Sequence, residues 1–286
     1  MITEWLNEYN PKTNAEGEQA LREIMQEIAL FGLQRSGFFE KAAFYGGTAL
    51  RIIHGLPRFS EDLDFSLLTV TPGFSLQPYL NGMLEQFKAL GVEVELKGKE
   101  KANKTGIDSA FLKAGTAWKE LTLKQIIPQE KITVTRPDLK IKLEVDTEPP
   151  PGLATEQKLL LKPASFYVSC FTLPDLFAGK MHALLFRKWK DRVKGRDWYD
   201  LEWYVRKGIA LHLDHLALRA KDSGDWKKTK MTWAELMRLL HAKIDEVSIE
   251  RIIDDVIRFI PAERVGDLSI WSKKYFHDLV EKIRVS

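Results

Sequence analysis

Asp62 and Asp64 stand two residues apart in the run Ser60–Glu61–Asp62–Leu63–Asp64–Phe65. Leu63, Phe65 and Leu67 alternate with them, which predicts a strand carrying both carboxylates on one face. Oxygen donors in that arrangement suit Mg²⁺. A second run, Lys140 to Asp146, alternates Ile141, Leu143 and Val145 with Lys142, Glu144 and Asp146. It predicts a strand with an apolar face and a charged one. If the two strands are neighbours, Glu144 or Asp146 supplies a third carboxylate, and the spacing leaves both open. Three such acids holding two Mg²⁺ ions can neutralise a phosphate in transfer and align the attacking and leaving oxygens.

Upstream lies Phe44–Tyr45–Gly46–Gly47–Thr48–Ala49–Leu50–Arg51. Gly46 and Gly47 fall between an expected strand end and a helix start. There the missing side chains let backbone N–H groups approach a triphosphate, the helix dipole favours its charge, and Thr48 adds a hydroxyl. A turn that needs positive φ explains the glycines equally simply.

The elements that must position these groups can be read from periodicity. A long helix is expected from Asn14 to Phe39, a short one from Thr48 to His54 closed by Gly55 and Pro57, and another from Gln77 to Leu90 stopped at Gly91. Strands are expected at 62–68, at 92–96 and at 140–146, with weaker alternation at 121–127 and 131–134. Beyond about residue 165 the period becomes helical. Thr172 and Asp175 resemble a capping box before a helix over 176–188, and helices follow at 198–206, 236–244, 249–260 and 270–283. The pattern predicts a mixed α/β (α+β) domain over residues 1–165 and a helical domain over 166–286.

At 286 residues, 44% hydrophobic and 29% charged, the chain has the composition of a globular protein with a real core. No apolar run approaches a membrane span and no secretory leader is recognisable, which predicts a cytoplasmic protein with no membrane partner. Cys170, the single cysteine, has no disulfide partner, cannot alone make a thiolate zinc site, and reads as a core residue. The formal net charge is only +3, yet Lys180, Arg187, Lys188, Lys190, Arg192, Lys194 and Arg196 crowd one segment. A polyanion partner or a solvated helix end would each account for that. His212 and His215 read as an exposed helix face. No Walker-type loop occurs, and Lys142 precedes Glu144 where a metal-dependent nuclease would have Glu-x-Lys.

The blocks Gly-Gly-Thr-Ala-Leu-Arg, Phe-Ser-Glu-Asp-Leu-Asp-Phe, Ile-Lys-Leu-Glu-Val-Asp, Lys-Met-His-Ala-Leu-Leu-Phe-Arg and Lys-Gly-Arg-Asp-Trp-Tyr-Asp-Leu follow one another between residues 44 and 201. As an ordered set they resemble the AbiEii/AbiGii (MenT-like) family of nucleotidyltransferase toxins. The resemblance implies a polymerase-β-like nucleotidyltransferase fold, with Asp62 and Asp64 as metal ligands, Lys180 near the nucleotide and Asp197 as a further essential residue. It also implies a toxin of a toxin–antitoxin or abortive-infection system that adds a nucleotide from an NTP to RNA, with the 3′ end of tRNA the expected acceptor and a cognate antitoxin as partner. The alternative is a non-catalytic RNA- or partner-binding module that kept the fold.

Spacing bears on this in part. Lys180 and Arg187 are seven apart on one helix, and Asp197 and Asp200 three apart on the next. Lys180 as a point charge and Arg187 as a forked donor suit a triphosphate, and the same four residues could instead lock two helices. Trp189, Trp198, Tyr199 and Trp203 could stack on a base or belong to the core.

Overall fold

The computed structural model describes residues 2–97, 116–123, 139–149, 152–187 and 193–286, and these form two compact units. The first comprises 1–55, 59–149 and 156–170; the second comprises 56–58, 150–155 and 171–286. The expected strand at 131–134, the Trp189 side chain and the basic residues from Lys188 to Arg192 lie outside the described residues.

The first unit opens with α1 (Ile2–Glu8) and α2 (Asn14–Arg35). Thr13 caps α2, its hydroxyl accepting the Glu16 N–H at 3.2 Å. The helix stops earlier than its apolar spacing suggested, because Gly37 at φ +75° turns the chain left-handed into a 3₁₀ turn at Phe38–Glu40. Then come β1 (Ala42–Tyr45), α3 (Gly46–His54), β2 (Leu63–Leu67), α4 (Gln77–Ala89), β3 (Val94–Lys97), β4 (Thr116–Leu123), β5 (Lys140–Asp146), β6 (Thr155–Leu160) and β7 (Phe166–Phe171).

The seven strands make one mixed sheet in the order β3-β4-β5-β2-β1-β7-β6. β2 runs antiparallel to β1 and parallel to β5, and β1 runs parallel to β7. Leu63, Phe65, Ile141, Leu143 and Val145 are fully buried, so the hydrophobic effect holds the apolar face of β2 and β5 against the core and leaves their charged residues on the other side. Phe38 packs edge-on to Phe65 at 5.0 Å and to Tyr79 of α4 at 5.2 Å. A Cβ on Gly32 would stand 2.4 Å from the Met83 backbone, so α2 and α4 cross as closely as they do only because Gly32 is bare.

The second unit is helical: α5 (Leu173–Phe186), α6 (Gly195–Arg206), α7 (Leu213–Asp222), α8 (Trp233–Glu246), α9 (Ile249–Val256) and α10 (Lys273–Val280), with a small parallel pair, β8 (Ala210–Leu211) and β9 (Arg284–Val285). The expected helix over 249–260 is α9 followed by a 3₁₀ turn at Ile257–Phe259. Thr172 and Asp175 do not form a capping box. Asp175 instead accepts from the Thr172 hydroxyl at 3.0 Å, the Ala154 N–H at 2.8 Å and the His212 ring at 2.5 Å. His215 is 1% exposed, so it belongs to the core of this unit and the expected solvated face is not there. No helix among the described residues is long and apolar enough to cross a membrane.

One buried acid gives the first unit a built-in pH response. Burial, reinforced by the charge of Glu23, pushes the Glu27 carboxyl up to about 8, and its Oε2 has no hydrogen-bond partner. Unfolded, the group ionises near its usual 4.5, so its contribution is intact below that pH and is lost as the pH rises through about 8. Glu27→Gln removes the titration. Chemical denaturation is expected to show the variant on the order of 2 kcal/mol more stable than the parent at pH 9 and little changed at pH 4. Parallel pH curves for the two proteins would contradict this.

Candidate active site

The acids sit where sheet register puts them. Asp64 pairs with Glu144 in the parallel β2–β5 ladder, and Ser66 pairs with Asp146. Asp62 lies one residue before β2 begins, its charge acts on Lys142 together with that of Asp64, and all four carboxylates lie at partly exposed positions. The register separates the two candidates that spacing left equal: Glu144 is the lateral neighbour of Asp64, whereas Asp146 lies one step on and its Oδ1 accepts the Glu148 N–H at 3.0 Å.

Lys142 stands among these acids. Its ammonium pairs with Glu144 and feels the charges of Asp62 and Asp64 as well. Burial would lower its pKa, but the hydrogen bond to Glu144 and the three negative charges win and raise it. A cation therefore already occupies the field that these carboxylates create. Within the described residues they do not close to a tight donor cluster.

Behind them the chain passes from β1 into α3. Tyr45 pairs with Asp64, which brings Gly46 directly over that carboxylate. A Cβ on Gly46 would lie 2.4 Å from Asp64 Oδ2 and 3.0 Å from its Cβ, and φ at Gly46 is +80°. Turn geometry and close approach thus require the same glycine. The bare backbone of Gly46 and Gly47 opens α3 beside Asp64, a place suited to an anion.

Thr48 is a correction. Its side chain is fully buried and its hydroxyl donates to the Asp62 carbonyl, so it fixes the approach to β2 and does not face a phosphate. Two further ties hold this region. Gln26 of α2 donates to the carbonyls of Ser60 and Glu61 at 3.2 and 3.0 Å, and Arg51 of α3 bonds Glu23 of α2 at 2.8 Å.

In the second unit the residues of the later blocks form an ion cluster. Lys180 of α5 reaches Asp200 at 2.8 Å and Asp197 at 3.5 Å, both on α6. Sequence spacing foresaw that lock in part. A partner that spacing did not show is Arg58, whose Nε and Nη2 meet the two oxygens of Asp200 at 2.6 Å each. Arg58 is 1% exposed and Asp200 is 0% exposed. Burial alone would push the Asp200 carboxyl up, but Arg58 and Lys180 together hold it below the usual carboxylate range. No local pattern marks Arg58, because its partner lies 142 residues away.

Gly195 opens α6 where any side chain would strike the Ile252 carbonyl of α9, at 2.0 Å from a Cβ, and its N–H is held by Asp255 at 2.9 Å. Arg196 lies over the Phe259 ring at 4.1 Å, and Lys180 is a basic partner of Asp197. Trp198, Tyr199 and Trp203 are 3%, 8% and 8% exposed, so they are core residues and present no stacking surface.

Arg187 and Lys194, with Lys243 and Arg251, line a cavity of about 220 Å³ that also touches Asp197 and Glu246. Burial first, and the neighbouring Arg187 second, bring Lys194 down to about 8. The cluster gives a direct expectation for stability. Breaking a buried ion pair strands the remaining charge, so Arg58→Met is expected to cost about 3–5 kcal/mol in denaturant unfolding. A loss below about 1 kcal/mol would show that Asp200 does not depend on Arg58.

Comparison with known proteins agrees with the architecture. A search of curated protein sequences finds no match. Among solved structures, the chain is similar to MenT4, a nucleotidyltransferase toxin from Mycobacterium tuberculosis, at 13% identity and a TM-score of 0.53, with 97% of this chain and 92% of that one covered. A putative nucleotidyltransferase from H. pylori aligns at 16% identity and a TM-score of 0.47, covering 91% of this chain and 95% of that one. JHP933 from Helicobacter pylori aligns at 15% identity and 0.45, covering 90% and 94%. The fold is that of the nucleotidyltransferase toxins. Residues 28–281 match the family described as nucleotidyl transferase AbiEii toxin, type IV toxin–antitoxin system, and the chain belongs to that family.

Proposed function

We propose that this chain transfers a nucleoside monophosphate from an NTP to RNA, with the 3′ end of tRNA as acceptor, and that a cognate antitoxin is its partner. The observation that carries the reading is the register of Asp64 against Glu144 beside the bare backbone of Gly46, with the charge of Asp62 reaching the same Lys142. Asp62, Asp64 and Glu144 are the residues that would hold Mg²⁺, and the donor set fits: all are carboxylate oxygens, and the Lys142 ammonium already marks their field as one that takes a cation. Bound there, two Mg²⁺ ions would neutralise the transferring phosphate and polarise the attacking oxygen.

The chain's own residues supply the rest. The N–H groups of Gly46 and Gly47 receive phosphate oxygens at the start of α3, where the helix dipole adds to their pull. Glu144 must leave Lys142 to serve as a ligand, and the lysine is then a ready counter-charge for the nucleotide. In the second unit, Lys180 organises Asp197 and Asp200, and Arg187 belongs to the cationic cavity with Lys194 and Arg251, which suits an RNA backbone. A role of Lys180 in nucleotide binding is part of the proposal by family resemblance.

The alternative is a binding module that kept the fold, in which Lys142 offsets part of the negative charge of the acids. Incubation of the protein with Mg²⁺, total tRNA and each labelled NTP in turn separates the two. Labelled tRNA is expected with the parent chain, and Asp64→Asn is expected to lower the rate by at least about a hundredfold with its circular dichroism unchanged. Equal labelling by parent and variant, or retention of RNA binding with no labelling by either, would defeat the catalytic reading.

A further inference from the structure

The C-terminal end of α3 holds a second cluster of potential ligands, remote from the acids. His54 is the last residue of α3, Glu156 lies on β6 and Cys170 on β7, where it pairs with Phe44 of β1. Their ligating atoms, an imidazole nitrogen, a carboxylate oxygen and a sulfur, all lie within 4.8 Å of one another, and no other three-donor group among the described residues does so. Cys170 is fully buried, and His54 Nε2 is buried with no hydrogen-bond partner. An imidazole nitrogen shut away from water is destabilising unless something bonds it, so packing alone explains this group poorly.

We propose that His54, Glu156 and Cys170 form a binding site for a borderline-soft divalent cation of the Zn²⁺ class. One nitrogen, one sulfur and one oxygen make a three-ligand set that leaves a fourth tetrahedral position for water or another ligand. Metal–ligand bonds of about 2.0–2.3 Å place donors roughly 3.3–3.8 Å apart, so donors lying within 4.8 Å of one another need close by no more than roughly 1.5 Å, within the reach of side-chain rotation. The site is chemically unlike the all-oxygen set of Asp62, Asp64 and Glu144, which prefers Mg²⁺.

The binding step balances simply. Burial keeps the Cys170 thiol protonated, pushing it up to about 12, and keeps His54 neutral, down to about 4. The cation takes the imidazole lone pair and the carboxylate as they stand, and displaces one proton from the thiol to solvent as the metal–sulfur bond forms. Lys158 is the built-in competitor. Its ammonium holds Glu156 at 2.7 Å, and both side chains are about a third exposed on β6, the strand at the edge of the sheet. It must swing outward when the ion enters. Because α3 is nine residues long, a bound ion would pin one end of the helix about 12 Å from the glycines at its other end.

The experiment is an anaerobic titration of the full-length, reduced and chelator-treated protein with Co²⁺, followed by back-titration with Zn²⁺. Expected are a near-ultraviolet thiolate-to-cobalt charge-transfer band and visible bands of a four-coordinate ion, both erased by Zn²⁺. Cys170→Ser, a near-isosteric change, should abolish the charge-transfer band. His54→Gln should weaken binding at least about tenfold. Lys158→Met should tighten it severalfold, and Asp64→Asn should leave the titration of the charge-transfer band unchanged. Circular dichroism and melting of each variant keep unfolding apart from loss of ligation. Absence of the thiolate band in the parent chain at stoichiometric excess, or an unchanged affinity in a folded His54→Gln, would overturn the assignment.

Discussion

The parallel pairing of β2 with β5 is the constraint from which the candidate active site follows. A strand's side chains alternate faces, so once Leu63 and Phe65 are buried opposite Leu143 and Val145, Asp64 and Glu144 have no choice but to emerge side by side on the other face. A slip of one residue would bury two carboxylates and expose two large apolar side chains. The hydrophobic core therefore sets the electrostatics: the energy that packs the sheet also holds like charges together, and Lys142 relieves part of their repulsion until something of higher charge arrives.

The same logic explains Gly46. The β1–β2 ladder brings the start of α3 onto Asp64, where a methyl group would overlap the carboxylate. The glycine keeps the backbone N–H groups of the helix start next to the acids, and Thr48 and Gln26 fasten the intervening segment through its carbonyls. In the second unit a different principle governs. Arg58, Lys180, Asp197 and Asp200 are a mutually satisfying set in which each charge tolerates burial only because its partners are present.

Much of this was legible in the sequence where local periodicity carries the information. The strand at 140–146 matches β5 residue for residue, because strict alternation of Ile141, Leu143 and Val145 with charged neighbours leaves no other reading. The Gly-Gly junction was legible as a break between strand and helix, and the strand expected at 62–68 is β2 at Leu63–Leu67, with Asp62 just before it. What the sequence did not disclose are partnerships made by topology: Arg58 with Asp200, the choice of Glu144 over Asp146 as neighbour of Asp64, and the meeting of His54, Glu156 and Cys170. Thr48 was misread outward because its hydroxyl's partner, a backbone carbonyl fourteen residues on, leaves no trace in spacing. Trp198 and Trp203 were ambiguous because an aromatic side chain serves a core and a base equally well.

Divalent-ion binding at the acid face tests the account most directly, free of any assumption about the acceptor. Mn²⁺ binding followed by electron paramagnetic resonance, with a non-hydrolysable NTP analogue present, should show two ions per chain in the parent protein and a clear loss in Asp64→Asn and in Glu144→Gln. Identical Mn²⁺ binding by the parent and both variants would contradict it, because the neighbouring carboxylates of β2 and β5 would then hold no ion at all.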